Sequence, residues 1–585
     1  MTRICMSLAL LGIVLFTIGT AGASAAAAPA EAAAAAPELT DPGAPAEAIA
    51  HWRGLRFGMF IHWGPVALTG HEIGWSRGRE TPIKEYDQLY KRFNPTDFNA
   101  DEWVATAKAA GMKYMVITTK HHDGFCLWPS DVTDYDIGGS PFGRDVLKEL
   151  SAACRKGGIE FGTYYSVCDW HHPAFPRGSP GGRTKKPTAD LDAYDKYLRA
   201  QVKELVTRYG PLLVLWFDVP QVYTEDYGIP MVRMLRGLQP NIIVNNRAYA
   251  AAGRKKGFSH QTQVGDYTTP EQRVGGFDRD RPWETCMTIC RQWAWKPNDT
   301  LKSLEQCIQI LVRTAGGDGN LLLNVGPTAD GRIEKRQIDR LKQIGDWLGT
   351  YGESIYGTRG GPFKPGPFGA STCKANRVYL HVLAWPGGEV RLPPLPRKVT
   401  AAGVLGGGKA EVDQTDEGLV VHVPESDRKD IDTIVTLDLD GPALAIEPVA
   451  WSSGSLATGA KATASNVFAK QAREYGPAKA VDDDQTTRWA TDAGTREAWM
   501  QVDLGKPTAI GRAVIDEATR FGGGRVRKFR LEVRNGKDWE PVLEGTTIGR
   551  NFEKTFGPVT ARHVRLTILE AVEGPTIWEF QLFAK

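Results

Sequence analysis

The chain has 585 residues, of which 42% are hydrophobic and 24% charged, with a net charge of +3. That length calls for more than one core. The composition excludes a disordered or membrane-embedded chain, and so small a charge gives no reason to expect nucleic acid or an anionic membrane as partner.

The first 25 residues read as a signal peptide: Arg3 in the n-region, a short apolar run from Leu8 to Phe16, and Ala23-Ser24-Ala25 as an A-x-A cleavage site. The run is too short for a membrane span. Cys5 precedes it, which does not match a lipid acylation site. Residues 26–45 form an Ala/Pro-rich leader. No second long apolar segment follows, so the expectation is an exported protein, periplasmic or secreted, without membrane insertion.

From residue 46 to 360 short apolar strands alternate with amphipathic helices. The strands expected are Phe57–His62, Tyr114–Thr119, Phe161–Val167, Leu212–Phe217, Ile242–Asn246, Thr285–Ile289 and Asn320–Val325. Between them fall helical stretches at Asp101–Ala110, Arg144–Lys156, Asp192–Tyr209, Leu301–Ala315 and Glu334–Leu348. Such alternation means a parallel sheet. The number of repeats fits a TIM-like (β/α)8 barrel better than a doubly wound sheet, whose first turn would carry GxGxxG. Residues 361–442 are strand-rich and read as a small antiparallel β-domain. Residues 443–455 read as a linker, and 456–585, with many short strands, as a C-terminal β-sandwich. Of eight cysteines, those outside the leader are widely spaced and odd in number, so they make no disulfide framework. Cys286 and Cys290 have no partner pair at zinc spacing, and buried free thiols are the expectation.

A TIM barrel carries its site at the C-terminal ends of its strands. Polar and aromatic residues collect at five of those ends: His62-Trp63, His121-His122-Asp123-Gly124, Tyr164-Tyr165, Trp216-Phe217-Asp218 and Asn245-Asn246-Arg247. Asp218 follows a continuous apolar run of the kind a buried parallel strand shows. At the barrel mouth its carboxylate is positioned as a nucleophile, or else as a helix N-cap. Glycoside chemistry needs a second carboxylate. Glu271, in a loop, and Glu284, opening a strand, are the two candidates. Seventeen tryptophans also suit a sugar, since an indole packs on the C–H face of a pyranose, although core packing accounts for most of them.

Five ordered stretches resemble glycoside hydrolase family 29, the α-L-fucosidases: Phe57 to Gly64, Lys120 to Phe125, Leu215 to Asp218, Trp283 to Cys286 and Gly319 to Pro327. The resemblance runs from about residue 46 to 360 and implies a retaining exo-α-L-fucosidase acting on fucosylated oligosaccharides or glycoconjugates, with no cofactor for catalysis. It implies Asp218 as nucleophile and His62, Trp75, His121, His122, Tyr165, Trp216 and Arg247 as fucose-binding residues. Glu271 is the expected acid/base, with Glu284 as the fallback. Asp218 would attack the anomeric carbon while Glu271 protonates the leaving oxygen, and Glu271 would then deprotonate the water that releases fucose. This requires carboxyl groups roughly 5–5.5 Å apart. Val219 stands where many relatives have Gly, which puts the shape of that loop in question. The same residues are compatible with a transfucosidase, and a catalytically inactive fucose-binding, lectin-like protein is the non-enzyme alternative.

Residues 480–489 and 499–505 resemble the discoidin-like, family 32 carbohydrate-binding modules. That resemblance implies a structural Ca²⁺ held by Asp482, Asp484, Thr487 and Glu579, hard oxygen ligands of the kind calcium takes. A solvated acidic turn is the other reading of that stretch.

Overall fold

The computed structural model describes residues 43–180, 186–250, 265–385, 388–484, 487–518 and 524–584. The expected signal peptide and most of the leader lie outside the described residues. Helix α1 (Ala46–Leu55) precedes strands β1 (Phe57–Ile61), β2 (Tyr114–Lys120), β3 (Glu160–Ser166), β4 (Val214–Asp218), β5 (Ile243–Val244), β6 (Glu284–Thr288) and β7 (Asn320–Val325). A one-turn helix α2 (Ile83–Tyr86) lies in the long excursion after β1. The covering helices are α3 (Ala100–Ala109), α4 (Val146–Gly157), α5 (Leu191–Arg208), α6 (Glu225–Leu238), α7 (Leu304–Gly316) and α8 (Lys335–Tyr351). Local chemistry sets their ends. Asn99 accepts from the amides of Asp101 and Glu102 at the start of α3, Ser303 and Gln306 form a capping box on α7, and Gly158 at φ +69° stops α4.

The seven strands form one parallel sheet in the order β5-β4-β3-β2-β1-β7-β6. They are buried on both faces, which explains their continuous apolar sequence. In place of a regular eighth strand, residues 266–272 run between β5 and β6. They bridge Asn245 to Tyr267 on one side, and Thr268 to Trp283 and Glu271 to Cys286 on the other, all in parallel sense. Backbone bonds from Asn246 to Tyr267, Glu284 to Thr268 and Cys286 to Pro270 complete the closure. Glu271, expected on a loop, therefore sits in the segment that closes the barrel. Alternate residues face the lumen, where Phe60, Tyr114, Tyr164, Val214, Trp216, Tyr267 and Leu322 pack together above Trp52 of α1. The opposite set, including Met59, Met115, Tyr165, Leu215 and Phe217, packs outward in the core cluster shared with the helices.

Two antiparallel sheets follow. One has the order β12-β15-β10-β9-β8 and the other β11-β14-β13, with β8 Arg359–Gly360, β9 Gly369–Lys374, β10 Arg377–Val382, β11 Val390–Leu392, β12 Val399–Val404, β13 Glu411–Thr415, β14 Gly418–His422 and β15 Thr433–Leu439. The stretch 443–455, expected as a linker, differs from that reading. Ala443 and Ile446 are buried in this β-domain's core with Trp451 against it, and the Val449 amide and carbonyl pair with Pro362 and Lys364. Burial of these apolar side chains anchors the segment.

The C-terminal module has its own core. Its strands β16 (Lys461–Ala464), β17 (Trp489–Ala490), β18 (Ala498–Glu517), β19 (Val526–Asn535), β20 (Asp538–Gly545), β21 (Phe552–Ala571) and β22 (Thr576–Phe583) are antiparallel, ordered β17-β22-β18-β21-β19-β20 with β16 on β18. A one-turn helix α9 (Ala472–Tyr475) lies between β16 and β17. Cys126, Cys154, Cys168, Cys286, Cys290, Cys307 and Cys373 are all free and buried.

Candidate active site

The C-terminal strand ends place a carboxylate, Asp218, in the barrel mouth with its side chain 12% exposed. Its Oδ2 accepts from the Tyr164 hydroxyl at 2.8 Å. Its Oδ1 accepts from Arg247 Nη1 at 2.8 Å and from the Val219 amide at 2.9 Å. His122 Nε2 stands 3.8 Å from Oδ2. Burial works to raise the Asp218 pKa. The Arg247 charge foremost, with the hydrogen bonds from Arg247 and Tyr164, outweighs it and holds the group below its ordinary value.

Val219, directly after Asp218, has φ +46° and Gln221 φ +37°. This is the left-handed region that glycine adopts freely and a β-branched residue adopts under strain. The loop thus keeps a glycine-type turn with valine in it.

Arg247 links the two candidate catalytic carboxylates. Its Nη1 also reaches Glu271 Oε2 at 3.1 Å, and its Nη2 reaches the same oxygen at 3.2 Å. Two oxygens bonded to one nitrogen at 2.8 and 3.1 Å lie at most 5.9 Å apart. Thr269 accepts from Arg247 Nε through its hydroxyl and from Nη2 through its carbonyl. The guanidinium lies over the Trp216 ring, 4.8 Å from its centroid. Glu271 is the open member of the set, with 39% of its side chain exposed.

Glu284 occupies a different place. It opens β6, below the mouth, and is 1% exposed. Its oxygens accept from the Tyr114 hydroxyl at 2.5 Å and from Trp216 Nε1 at 3.0 Å. Burial pushes it up to about 7, against those hydrogen bonds. It fixes the indole on which Arg247 rests, and the geometry does not bring it to the mouth as the fallback acid would require.

Three histidines line the opposite side. Burial, first among the causes, lowers His62 to about 3 and His122 to about 4, and puts His121 well below its ordinary value, so all are neutral near pH 7. His62 Nδ1 lies 2.6 Å from Asn324 Oδ1, and the Asn324 amide nitrogen donates to the Trp293 carbonyl. The amide oxygen therefore faces His62, so Nδ1 carries the proton and Nε2 is left as acceptor. Likewise Ser166 donates to the Cys168 carbonyl and accepts from His122 Nδ1 at 2.7 Å, leaving His122 Nε2 as acceptor. The buried Nδ1 of His121 has no partner among the described residues. Trp75 stands edge-on to His122 at 5.2 Å, and Trp293 lies 4.7 Å from His62. Glu72 holds the Trp293 loop by accepting from the amides of Trp293 and Ala294.

One expected site residue is not in this group. Tyr165 points out of the barrel and is fully buried in the outer core, where its hydroxyl donates to Gln201 at 2.8 Å. The lumen residue is Tyr164, which the register pairs with Trp216. The physical reason is the two-residue period of a strand, which sends neighbouring side chains to opposite faces. Asn324, inside the Gly319 to Pro327 stretch, is a further site residue, and Ser166, Thr269 and Trp293 are others without a sequence signal of their own.

A family model described as Alpha-L-fucosidase matches residues 25–353. The chain belongs to the alpha-L-fucosidase family. A second model, F5/8 type C domain, matches residues 461–580, which is the C-terminal module. The human plasma alpha-L-fucosidase is 30% identical over 63% of this chain and 84% of its own length. The alpha-L-fucosidase isoenzyme 1 from Paenibacillus thiaminolyticus is 35% identical with a TM-score of 0.61, over 67% of this chain and 99% of that one. A Bacteroides thetaiotaomicron alpha-L-fucosidase, solved as a trapped covalent intermediate with 2-fluoro-fucosyl fluoride, is 29% identical with a TM-score of 0.62, over 69% of this chain and 98% of that one. Among the described residues of this family member no helix is long and apolar enough to cross a membrane.

Proposed function

We propose that the protein is a retaining exo-α-L-fucosidase, with Asp218 as nucleophile and Glu271 as acid/base, that removes terminal fucose from fucosylated glycans. The observation that carries this reading is the single Arg247 nitrogen shared by both carboxylates, which limits their nearest oxygens to 5.9 Å. Retaining pairs stand about 5–5.5 Å apart and inverting pairs about 6.5–9.5 Å. Asp218, held ionised, attacks the anomeric carbon while Glu271 protonates the leaving oxygen. Glu271 then takes the proton of the water that releases fucose. His62 and His122 present ring nitrogens that accept from sugar hydroxyls, and the aromatic lumen takes the apolar part of a 6-deoxy sugar. Turnover of an aryl α-L-fucoside tests the reading. It should vanish in Asp218→Ala and return with azide as the β-fucosyl azide, whereas Glu271→Ala with azide should give the α-azide. No turnover by the wild type would sink it and leave the lectin-like alternative.

We also propose a Ca²⁺ in the C-terminal module. Thr487 Oγ1 has one proton to donate, yet it lies 2.9–3.2 Å from Asp482 Oδ1 and Oδ2 and from the carbonyls of Lys479 and Asp484. Nearby, Glu579 is 2% exposed and neither of its oxygens has a hydrogen-bond partner among the described residues. An excess of hard oxygen acceptors around a buried carboxylate fits calcium, although no three His, Cys, Asp or Glu side chains are gathered as a ready metal cluster among the described residues. Asp482, Asp484, Thr487 and Glu579 would hold the ion, whose charge would let Glu579 ionise. Calcium should raise Tm and a chelator lower it, and Glu579→Gln should abolish that response. A Tm indifferent to calcium and chelator would refute the site. Export rests on the leader pattern alone, and is tested by whether the mature N-terminus follows Ala25.

A further inference from the structure

Four successive residues at the end of β2 divide their work. His121 and His122 face the barrel mouth, beside Tyr164 and Asp218. Lys120 before them and Asp123 after them are buried and reach into the two neighbouring loops. Neither charge takes part in the chemistry of Asp218 and Glu271.

Lys120 points out of the barrel, as the two-residue period of the strand requires. Its ammonium donates to Asp169 Oδ2 at 3.1 Å and to the Tyr194 hydroxyl at 3.4 Å, and it lies over the Tyr165 ring, 4.3 Å from the centroid. The other oxygen of Asp169 accepts from the amides of His171 and His172 at 3.0 and 2.8 Å, which fixes the turn that carries Trp170. The Trp170 amide donates to the His122 carbonyl at 2.8 Å, and the two rings pack 5.2 Å apart.

Asp123 reaches the other way. Its Oδ2 accepts from the Tyr86 hydroxyl of α2 at 2.6 Å, and that hydroxyl accepts from the Gly74 amide at 2.9 Å. Gly74, at φ +64°, comes so close that a Cβ there would stand 2.6 Å from His121 Nδ1. The next residue is Trp75, edge-on to His122 at 5.2 Å and to Trp170 at 5.3 Å. The two arms therefore converge. The rings of His122, Trp75 and Trp170 form a triangle with sides of 5.2–5.3 Å.

A buried ion pair contributes little net stability, because lost hydration offsets the attraction of its charges. What the Lys120–Asp169 pair and the Asp123–Tyr86 bond fix is the place of two indoles. His122 depends on them. Its Nδ1 bond to Ser166 leaves the plane of the imidazole able to rock, and rocking would carry Nε2 off the sugar hydroxyl it accepts from and change its 3.8 Å distance from Asp218. We propose that Lys120 and Asp123 are positioning residues of the fucose site, which act through Asp169 and Tyr86 to hold Trp170 and Trp75 against His122. This rests on the fucosidase reading and gives the two charged ends of the Lys120–Asp123 stretch a part in it.

The test is the Kd of the full chain for L-fucose, measured by calorimetry, beside KM and kcat on an aryl α-L-fucoside. Tyr86→Phe keeps the ring and removes the hydroxyl that joins Asp123 to Gly74. It should raise the fucose Kd about three- to tenfold, with the loss of kcat/KM falling mainly on KM. The effect should vanish in a Trp75→Ala background, because the hydroxyl acts through that indole. Lys120→Met with Asp169→Asn removes both charges of the pair and should raise the same Kd by a similar factor. If that double variant does not fold, Asp169→Asn alone takes its place. A fucose Kd unchanged in both arms overturns the proposal even where Tm falls, since a role in stability alone lowers Tm and leaves Kd in place. A full effect of Tyr86→Phe on top of Trp75→Ala overturns it too. Because Kd is read without turnover, its failure and that of the fucosidase reading separate: fucose bound with no fucoside turned over sinks the fucosidase reading alone, and a wild type that neither binds nor turns over overturns both.

Discussion

Replacing Tyr164 by Phe removes one hydroxyl from the lumen and nothing else. That hydroxyl donates to Asp218 Oδ2 at 2.8 Å, and the remaining donors, Arg247 and the Val219 amide, sit on the other oxygen. A hydrogen bond to an ionised group contributes about 1.5–3 kcal/mol, and about 1.36 kcal/mol corresponds to one pKa unit. With the bond gone, the burial that works against ionisation of Asp218 is less well opposed. The group should rise by about 1–2 units. Only the carboxylate attacks, so the acid limb of kcat/KM, which reports the free enzyme, should move up in pH by that amount. Stability follows the same sign. A depressed folded-state pKa stabilises the fold above the unfolded value of about 3.9, and that contribution is lost as pH falls through the folded value. The variant should therefore melt lower than wild type near neutrality, with the gap closing in acid. Tyr165→Phe is the comparison, because its hydroxyl bonds Gln201 outside the lumen, and it should leave the acid limb in place. An acid limb that stays put in Tyr164→Phe, or moves as far in Tyr165→Phe, would refute the assignment of the two tyrosines.

Glu284→Gln offers one acceptor to two donors, Tyr114 and Trp216. Denaturant titration should show a loss of about 1–3 kcal/mol, and azide should rescue no activity; azide rescue would make Glu284 the acid after all. Val219→Gly relieves a backbone at φ +46°, worth about 1–3 kcal/mol, and gives up a buried side chain of about 1.5–3 kcal/mol. The two nearly cancel, so stability should shift by no more than about 2 kcal/mol with turnover retained; a loss beyond that would show that the valine side chain holds the loop.

The order of strands and helices was legible because a parallel sheet covered on both faces writes itself as continuous apolar runs. Asn320–Val325 matches its expected bounds, and the ends of the other strands shift by a residue or two, with β4 and β5 the shorter for it. Helices α1 and α6 were not expected; α6 contains Pro230, and its buried stripe only becomes evident against α5. Asp218 stood out because a carboxylate directly after such a run has little structural reason to be there. The Tyr164/Tyr165 choice was harder. Two identical residues in succession carry no parity, and the face is decided only by the register that sets Tyr164 beside Trp216.

Glu271 shows what a broken pattern conceals. Pro270 has no N–H to give to a ladder, so a sequence reading takes the surrounding stretch for a loop. Yet the Pro270 carbonyl still accepts from Cys286, and Thr268 and Gln272 make the flanking bonds to the β6 side. The loss is confined to one rung. Side chains of the segment keep the two-residue period of a strand: Tyr267 packs in the lumen, and Thr269 and Glu271 both meet Arg247 there. Period two therefore does more in this segment than pack the lumen. It delivers Glu271 to the same guanidinium that holds Asp218, which sets the spacing of the two carboxylates. The distance between the two candidate catalytic carboxylates is thus fixed by one irregular strand.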